Sequence, residues 1–219
     1  MSLYPAVCFD FDYTLGDATD SIVAGFQHGL TKLGWPAPDR EAVRATVGYV
    51  LEDAYTMLTG DDSPENRAKF RPLFLEVARE RQREETTLFP GAVELLRGLR
   101  AQGVRLGIVS TKRSDTLEYV LERYGVRKEL EFVIGADRVT RYKPDPEGLL
   151  MALQLLELRP AQLLFCGDTV LDAGAAKNAG VDFAAVLNGT TPARAFQDWP
   201  CVHIAPDLVE LARWLGVTV

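Results

Sequence analysis

Short uninterrupted apolar runs alternate along the chain with longer stretches in which apolar residues recur three and four positions apart. The runs at 6–11, 105–110, 132–134, 163–166 and 183–187 are each bounded by turn residues. A strand covered on both faces shows no polar alternation, so each run predicts a buried strand of a parallel sheet. Helical patterns lie between them, around 92–102, 116–124, 147–156, 172–179 and 207–215. Strand and helix in regular succession predict an α/β fold with a Rossmann-like, doubly wound parallel sheet.

One interval breaks this rhythm. From 18 to 87 no strand pattern is convincing; four amphipathic helical patterns follow one another, separated by Gly34-Trp35-Pro36, Thr46-Val47-Gly48 and Gly60-Asp61-Asp62-Ser63-Pro64. The expected organisation is therefore a core of residues 1–17 and 88–219, with an α-helical cap domain, 18–87, inserted after the first strand. The run Arg79-Glu80-Arg81-Gln82-Arg83-Glu84-Glu85 reads as a solvated helix face. No internal repeat and no low-complexity linker is found.

Composition narrows the function classes. The 219 residues are 47% apolar and 25% charged, enough to bury a real core. Twenty-four basic against 31 acidic residues leave a net charge of −7 with no basic tract, which argues against nucleic acid as a partner. No apolar stretch is long enough for a membrane span. Three cysteines, Cys8, Cys166 and Cys201, cannot form a fully paired framework, and the start of the chain has no basic leader pattern. The expected compartment is the cytoplasm.

The unusual polar residues sit where the predicted strands end, which is where an open parallel sheet binds ligands. Asp10 and Asp12 end the first strand and Ser110-Thr111-Lys112 the second. Arg141-Tyr142-Lys143-Pro144 follows the third, and Gly167-Asp168 ends the fourth with Asp172 one turn later. Four carboxylates converging in a small volume repel unless protons or a cation neutralise them. An all-oxygen set without a His/Cys cluster favours Mg²⁺ over Zn²⁺, and Mg²⁺ commonly shares carboxylates with a substrate phosphate. Ser110 and Thr14 offer hydroxyl donors and Lys143 a point charge for phosphate oxygens, so the set points to phosphoryl transfer.

The segment Phe9-Asp10-Phe11-Asp12-Tyr13-Thr14-Leu15 resembles the D-x-D-x-T motif of the haloacid dehalogenase-like phosphohydrolases. Val109-Ser110-Thr111-Lys112, Tyr142-Lys143-Pro144-Asp145-Pro146 and Gly167-Asp168-Thr169-Val170-Leu171-Asp172 resemble its second, third and fourth motifs in order. The resemblance implies that Asp10 is the nucleophile that becomes an aspartyl phosphate and Asp12 the acid–base residue, with Ser110 and Lys143 holding the transferring group. It implies a Mg²⁺ site made by the Asp10 carboxylate, the Asp12 main-chain carbonyl, Asp168 and, directly or through water, Asp172. Two departures stand out: Tyr13 where glycine is common, and Thr111 where an asparagine is common.

Within that superfamily Asp12 argues against dehalogenation, whose halide needs no proton. Thr46 to Ala54 and the stretch before Lys143 look like phosphoglycolate phosphatase-like enzymes, so the expected substrate is a small phosphomonoester. β-Phosphoglucomutase-like transferases and pyrophosphatases share the same signals. Arg44 and the Gly48-Tyr49 turn are cap candidates for contacting the leaving group. From another class, a receiver-type phospho-aspartate switch would also combine acids, a hydroxyl and a lysine on a parallel sheet. Lys112 reads as structural or exposed, His28 and His203 as ordinary histidines, and the thiols as packing residues. The expected state is a monomer or homodimer.

Overall fold

A computed structural model describes residues 4–218 of the chain. Residues 1–3, part of the segment read above for a leader, and residue 219 lie outside the described residues. In order, the elements are β1 (Ala6–Phe9), β2 (Gly16–Asp17), α1 (Thr19–Lys32), α2 (Arg40–Arg44), α3 (Leu51–Thr59), α4 (Pro64–Glu85), β3 (Thr87–Leu88), α5 (Ala92–Ala101), β4 (Arg105–Val109) and α6 (Ser114–Arg123). They continue with β5 (Phe132–Ile134), α7 (Glu147–Leu156), β6 (Leu163–Gly167), α8 (Val170–Ala179), β7 (Asp182–Val186), β8 (Cys201–Ala205) and α9 (Leu208–Trp214). The chain divides into two compact units, one running to Gly16 and resuming at Leu88, the other Asp17–Thr87. The short strands β2 and β3 pair with each other where the chain passes from one unit to the other.

The first unit is built on a six-stranded sheet in the order β5-β4-β1-β6-β7-β8, with every neighbouring pair parallel. Alternate residues of each strand feed two separate cores. Val7, Phe9, Leu106, Ile108, Leu164 and Cys166 pack with α5, α6 and α9, whereas Ala6, Cys8, Leu163 and Phe165 pack with α7 and α8. Both faces are therefore covered by helices, which is why the strand segments read as continuous apolar runs. The sixth strand, β8, was not among the five expected. It is an edge strand, and Val202 and Ile204 remain exposed, so its sequence lacks the apolar continuity of the buried strands.

The second unit is all-helical apart from its ends. Its core gathers Ile22, Phe26 and Leu30 of α1, Val43, Tyr55, and Phe70, Phe74 and Ala78 of α4. The four phenylalanine and tyrosine rings at 26, 55, 70 and 74 touch one another in tilted or edge-on pairs, with centroids 5.1–6.0 Å apart. Helices α1 and α4 approach closely because Gly25 and Gly29 of α1 face α4. A Cβ at Gly25 would lie 2.7 Å from that of Ala78, and one at Gly29 would lie 2.6 Å from the Phe70 ring.

Candidate active site

Strand order fixes which loops meet. The chain leaves β1 toward β4 and β5 on one side and returns to β6, β7 and β8 on the other, so β1 lies at the topological switch point. Its neighbours are in register: Phe9 pairs with Ile108 of β4 and with Cys166 of β6. Asp10, Ser110 and Asp168 thus follow three adjacent strands at the same edge. The Asp10 N–H still donates to Cys166 C=O at 2.8 Å and that of Ser110 to Ile134 C=O at 3.0 Å, which continues the ladder to the site itself.

Oxygens of Asp10, Asp168 and Asp172 all lie within 4.8 Å of one another, and the three residues are buried. Lys143, also buried, places its Nζ 2.9 Å from Asp10 Oδ2 and 2.5 Å from Asp172 Oδ1. Burial pushes the Asp10 carboxyl above the ordinary range, against the lowering pull of Lys143, and Asp172 raises it further. Asp168 is raised well above that range by burial and then by Asp172 and Asp10. Burial alone would draw Lys143 down, but the Asp10 and Asp172 carboxylates outweigh it and hold the ammonium charged.

Three carboxylates and one ammonium leave an excess of negative charge in a place almost without water. Asp10 Oδ1 is buried and makes no hydrogen bond among the described residues. An orphaned carboxylate oxygen within a cluster of hard oxygen donors suits a small divalent cation and leaves nothing for a soft metal. The donors are unequal. Asp172 already accepts from the Thr169 N–H at 3.0 Å and the Thr169 hydroxyl at 2.6 Å in the capping box that starts α8, besides its bond from Lys143. Asp10 and Asp168 have the oxygens less engaged.

The loop after Asp10 is a tight turn in which Phe11 C=O accepts from the N–H groups of Thr14, Leu15 and Gly16 at 2.9–3.2 Å. Tyr13 takes the left-handed conformation that glycine would adopt freely, with φ +57°, and is itself buried. The turn carries Thr14 Oγ1 to 3.5 Å from Asp168 Oδ1, while the Asn188 amide donates to Thr14 C=O at 3.1 Å. Gly189 backs onto Asp168 so closely that a Cβ there would lie 2.1 Å from Oδ2. Neither Asn188 nor Gly189 belongs to the four motifs, and no apolar period marks them.

Asp12 stands apart from the acidic triad. Its carboxylate takes both oxygens to Lys112 Nζ, each at 2.9 Å. Lys112 is buried and ion-paired, which sets aside the exposed reading of its sequence position and agrees with the structural one. Its place two residues beyond Ser110 sets it near the site, but nothing local in the sequence pairs it with Asp12. Of the remaining candidates, Arg44 pairs with Glu41 of its own helix at 2.9 Å, and Tyr49 is exposed. His28 bonds Glu76 at 2.9 Å, and His203 bonds Glu210 at 2.8 Å while stacking on Trp214, as ordinary surface histidines do.

The chain is similar to known proteins over most of its length. The family model for haloacid dehalogenase-like hydrolases matches residues 7–186. A protein of Dickeya dadantii named "Probable phosphatase IndB" is 36% identical over 182 residues, 81% of this chain and 78% of that protein. A phosphoglycolate phosphatase of Pseudomonas putida is 32% identical over 191 residues, 84% of this chain and 69% of its own. The crystal structure of a Bacteroides fragilis protein named "Putative haloacid dehalogenase-like hydrolase" superposes with a TM-score of 0.92 at 36% identity, covering 95% of this chain and 99% of that one. The six-stranded parallel sheet and its cluster of strand-end acids are thus those of a hydrolase fold. The chain belongs to the haloacid dehalogenase-like hydrolase family. No helix of the described residues is long and apolar enough to cross a membrane.

Proposed function

We propose that the protein is a Mg²⁺-dependent phosphatase that hydrolyses a small phosphomonoester through an aspartyl phosphate on Asp10. The observation that carries this reading is the Asp10 carboxylate itself: buried, with one oxygen unpartnered, beside Asp168 and against the Lys143 ammonium. A cation held by Asp10, Asp168, the Asp12 main-chain carbonyl and, directly or through water, Asp172 would draw charge from the phosphoryl oxygens when bound. An Asp10 oxygen attacks phosphorus as the bond to the leaving oxygen breaks, and Asp12 gives that oxygen its proton. Asp12 then removes a proton from the water that cleaves the acyl phosphate and restores the Asp10 carboxylate.

Lys143 and Ser110 hold the transferring group in this scheme, and Lys143 tempers repulsion between Asp10 and an incoming dianion. Asp172 holds Lys143. The helical unit, inserted after the turn that carries Asp12 and Thr14, is assigned the role of a cap that admits small esters and excludes bulky ones. The likeness to a phosphoglycolate phosphatase supports a small anionic ester as substrate.

Multiple-turnover phosphate release by the full chain tests the reading, with phosphoglycolate, pyrophosphate, hexose phosphates and nucleoside monophosphates compared by kcat/KM. Asp10→Asn should lower turnover by more than ~10³-fold while leaving the circular dichroism spectrum unchanged. EDTA should silence the native protein and added Mg²⁺ restore it. Phosphorylation without repeated turnover would instead mark a receiver-type switch, and full activity of Asp10→Asn would remove the nucleophile.

A further inference from the structure

We propose that Lys112 is the positioning residue of the acid–base step, holding the Asp12 carboxylate and compensating its charge once the proton has gone to the leaving group. The inference rests on the phosphatase reading above and extends it to a residue outside the roles assigned there. Lys112 Nζ lies 2.9 Å from each Asp12 oxygen, and the two side chains are only 4% and 14% exposed. An ammonium bonded to both oxygens fixes the plane of the carboxylate as well as its place. The two buried lysines of the site pair with three of its four acids. Lys143 serves Asp10 and Asp172, and Lys112 serves Asp12.

The lysine is itself seated from the backbone outward. Its N–H donates to Ser110 Oγ at 3.2 Å, and its C=O accepts from Ala136 N–H at 3.0 Å. Gly135 allows that approach, because a Cβ there would lie 2.5 Å from the same carbonyl oxygen. The Gly135 N–H in turn donates to Ser114 Oγ at 3.0 Å, which ties the start of α6 to the same loop. Such a loop, pinned from both sides, presents the side chain in one place, and a site held that way loses little on reorganising during reaction.

The chemistry explains why a cation belongs there. When the bond from phosphorus to the leaving oxygen breaks, its electron pair stays on that oxygen, and Asp12 supplies the proton that neutralises it. What remains on Asp12 is a carboxylate in a place nearly closed to water. Leaving a largely shielded charge without its partner is unfavourable, so the waiting ammonium lowers the energy of the state after transfer. The benefit exists only when the leaving group needs a proton. An alkoxide does, whereas p-nitrophenolate departs without one.

The test uses the full chain, with phosphoglycolate as the alkyl ester and p-nitrophenyl phosphate as the aryl ester, both with Mg²⁺. Asp12→Asn should lose about 10²–10⁴-fold in kcat/KM, which reports formation of the aspartyl phosphate and not its hydrolysis, on the alkyl ester and far less on the aryl ester. Lys112→Met should show the same selectivity at about 10–100-fold in kcat/KM, and should add nothing in the Asp12→Asn background. Lys112→Arg should recover part of the alkyl rate. Equal losses of kcat/KM on both esters, or additive losses in the double variant, would overturn the assignment. If Lys112→Met fails to fold, Lys112→Gln decides by the same ratio: a selective alkyl loss supports the role and an even loss refutes it. A wild type inert toward both esters overturns the phosphatase reading, and this assignment with it. An active wild type with selective Asp12→Asn but unselective Lys112 variants overturns the Lys112 role alone.

Discussion

Asp168 is held more by shape than by hydrogen bonds. Thr14 Oγ1 reaches only to 3.5 Å from its Oδ1, whereas the backbone of Gly189 closes directly against Oδ2. Gly189→Ala should therefore displace the carboxylate and weaken Mg²⁺ binding by about 10–100-fold, read by isothermal titration calorimetry, with the fold preserved. Unchanged affinity would mean that Asp168 does not bind the ion. The acids, Ser110 and Lys143 were legible because motif residues stand at strand ends. Gly189 and Lys112 were not, because their roles lie in distances across loops: one glycine lacks a side chain at a contact, and one lysine finds its acid 100 residues away. Tyr13 shows the same division. Its departure from glycine is visible in the sequence, but its positive φ and burial are properties of the folded turn.

Among elements, the pairing of α1 with α4 carries the helical unit. Gly25 and Gly29 are one turn apart on α1, and the Phe70, Phe74 and Ala78 side chains fill the space their missing Cβ atoms leave. Gly25→Val should cost about 1–3 kcal/mol by overpacking, measured by chemical denaturation. A neutral result would show that the two helices can separate without loss. The helical character of this stretch was readable from its period, although Pro72, a residue that ordinarily breaks helices, sits inside the 22-residue α4. The partner helix of each face was not readable, since periodicity marks which side is buried but not against what. The same reasoning covers β8. A buried strand announces itself by an apolar run, and an edge strand with one side in water does not.

At the scale of the molecule, the acid cluster sets function against stability. A carboxyl whose folded value is raised retains in the native state a proton that the unfolded chain releases. The metal-free protein therefore loses stability as pH climbs from the ordinary value of 3.8 through the raised value of Asp168. In EDTA at pH 8, Asp168→Asn should be more stable than the wild type by at least ~1 kcal/mol, and the gap should close on acidification toward pH 4. Mg²⁺ should reverse the order by stabilising only the wild type. Differential scanning calorimetry at several pH values checks both halves, and a metal-free wild type as stable as the variant at pH 8 would show that the cluster carries no penalty. By itself the sequence determined the α/β succession, the helical insert and the acids at strand ends, because periodicity and motif order are local and survive without coordinates. Only the tertiary structure decided that β1 lies between β4 and β6, that Asp10 keeps an unpartnered oxygen, and that Asp12 is paired with a buried lysine. Those facts depend on which distant segments touch, and contact is decided by packing in three dimensions.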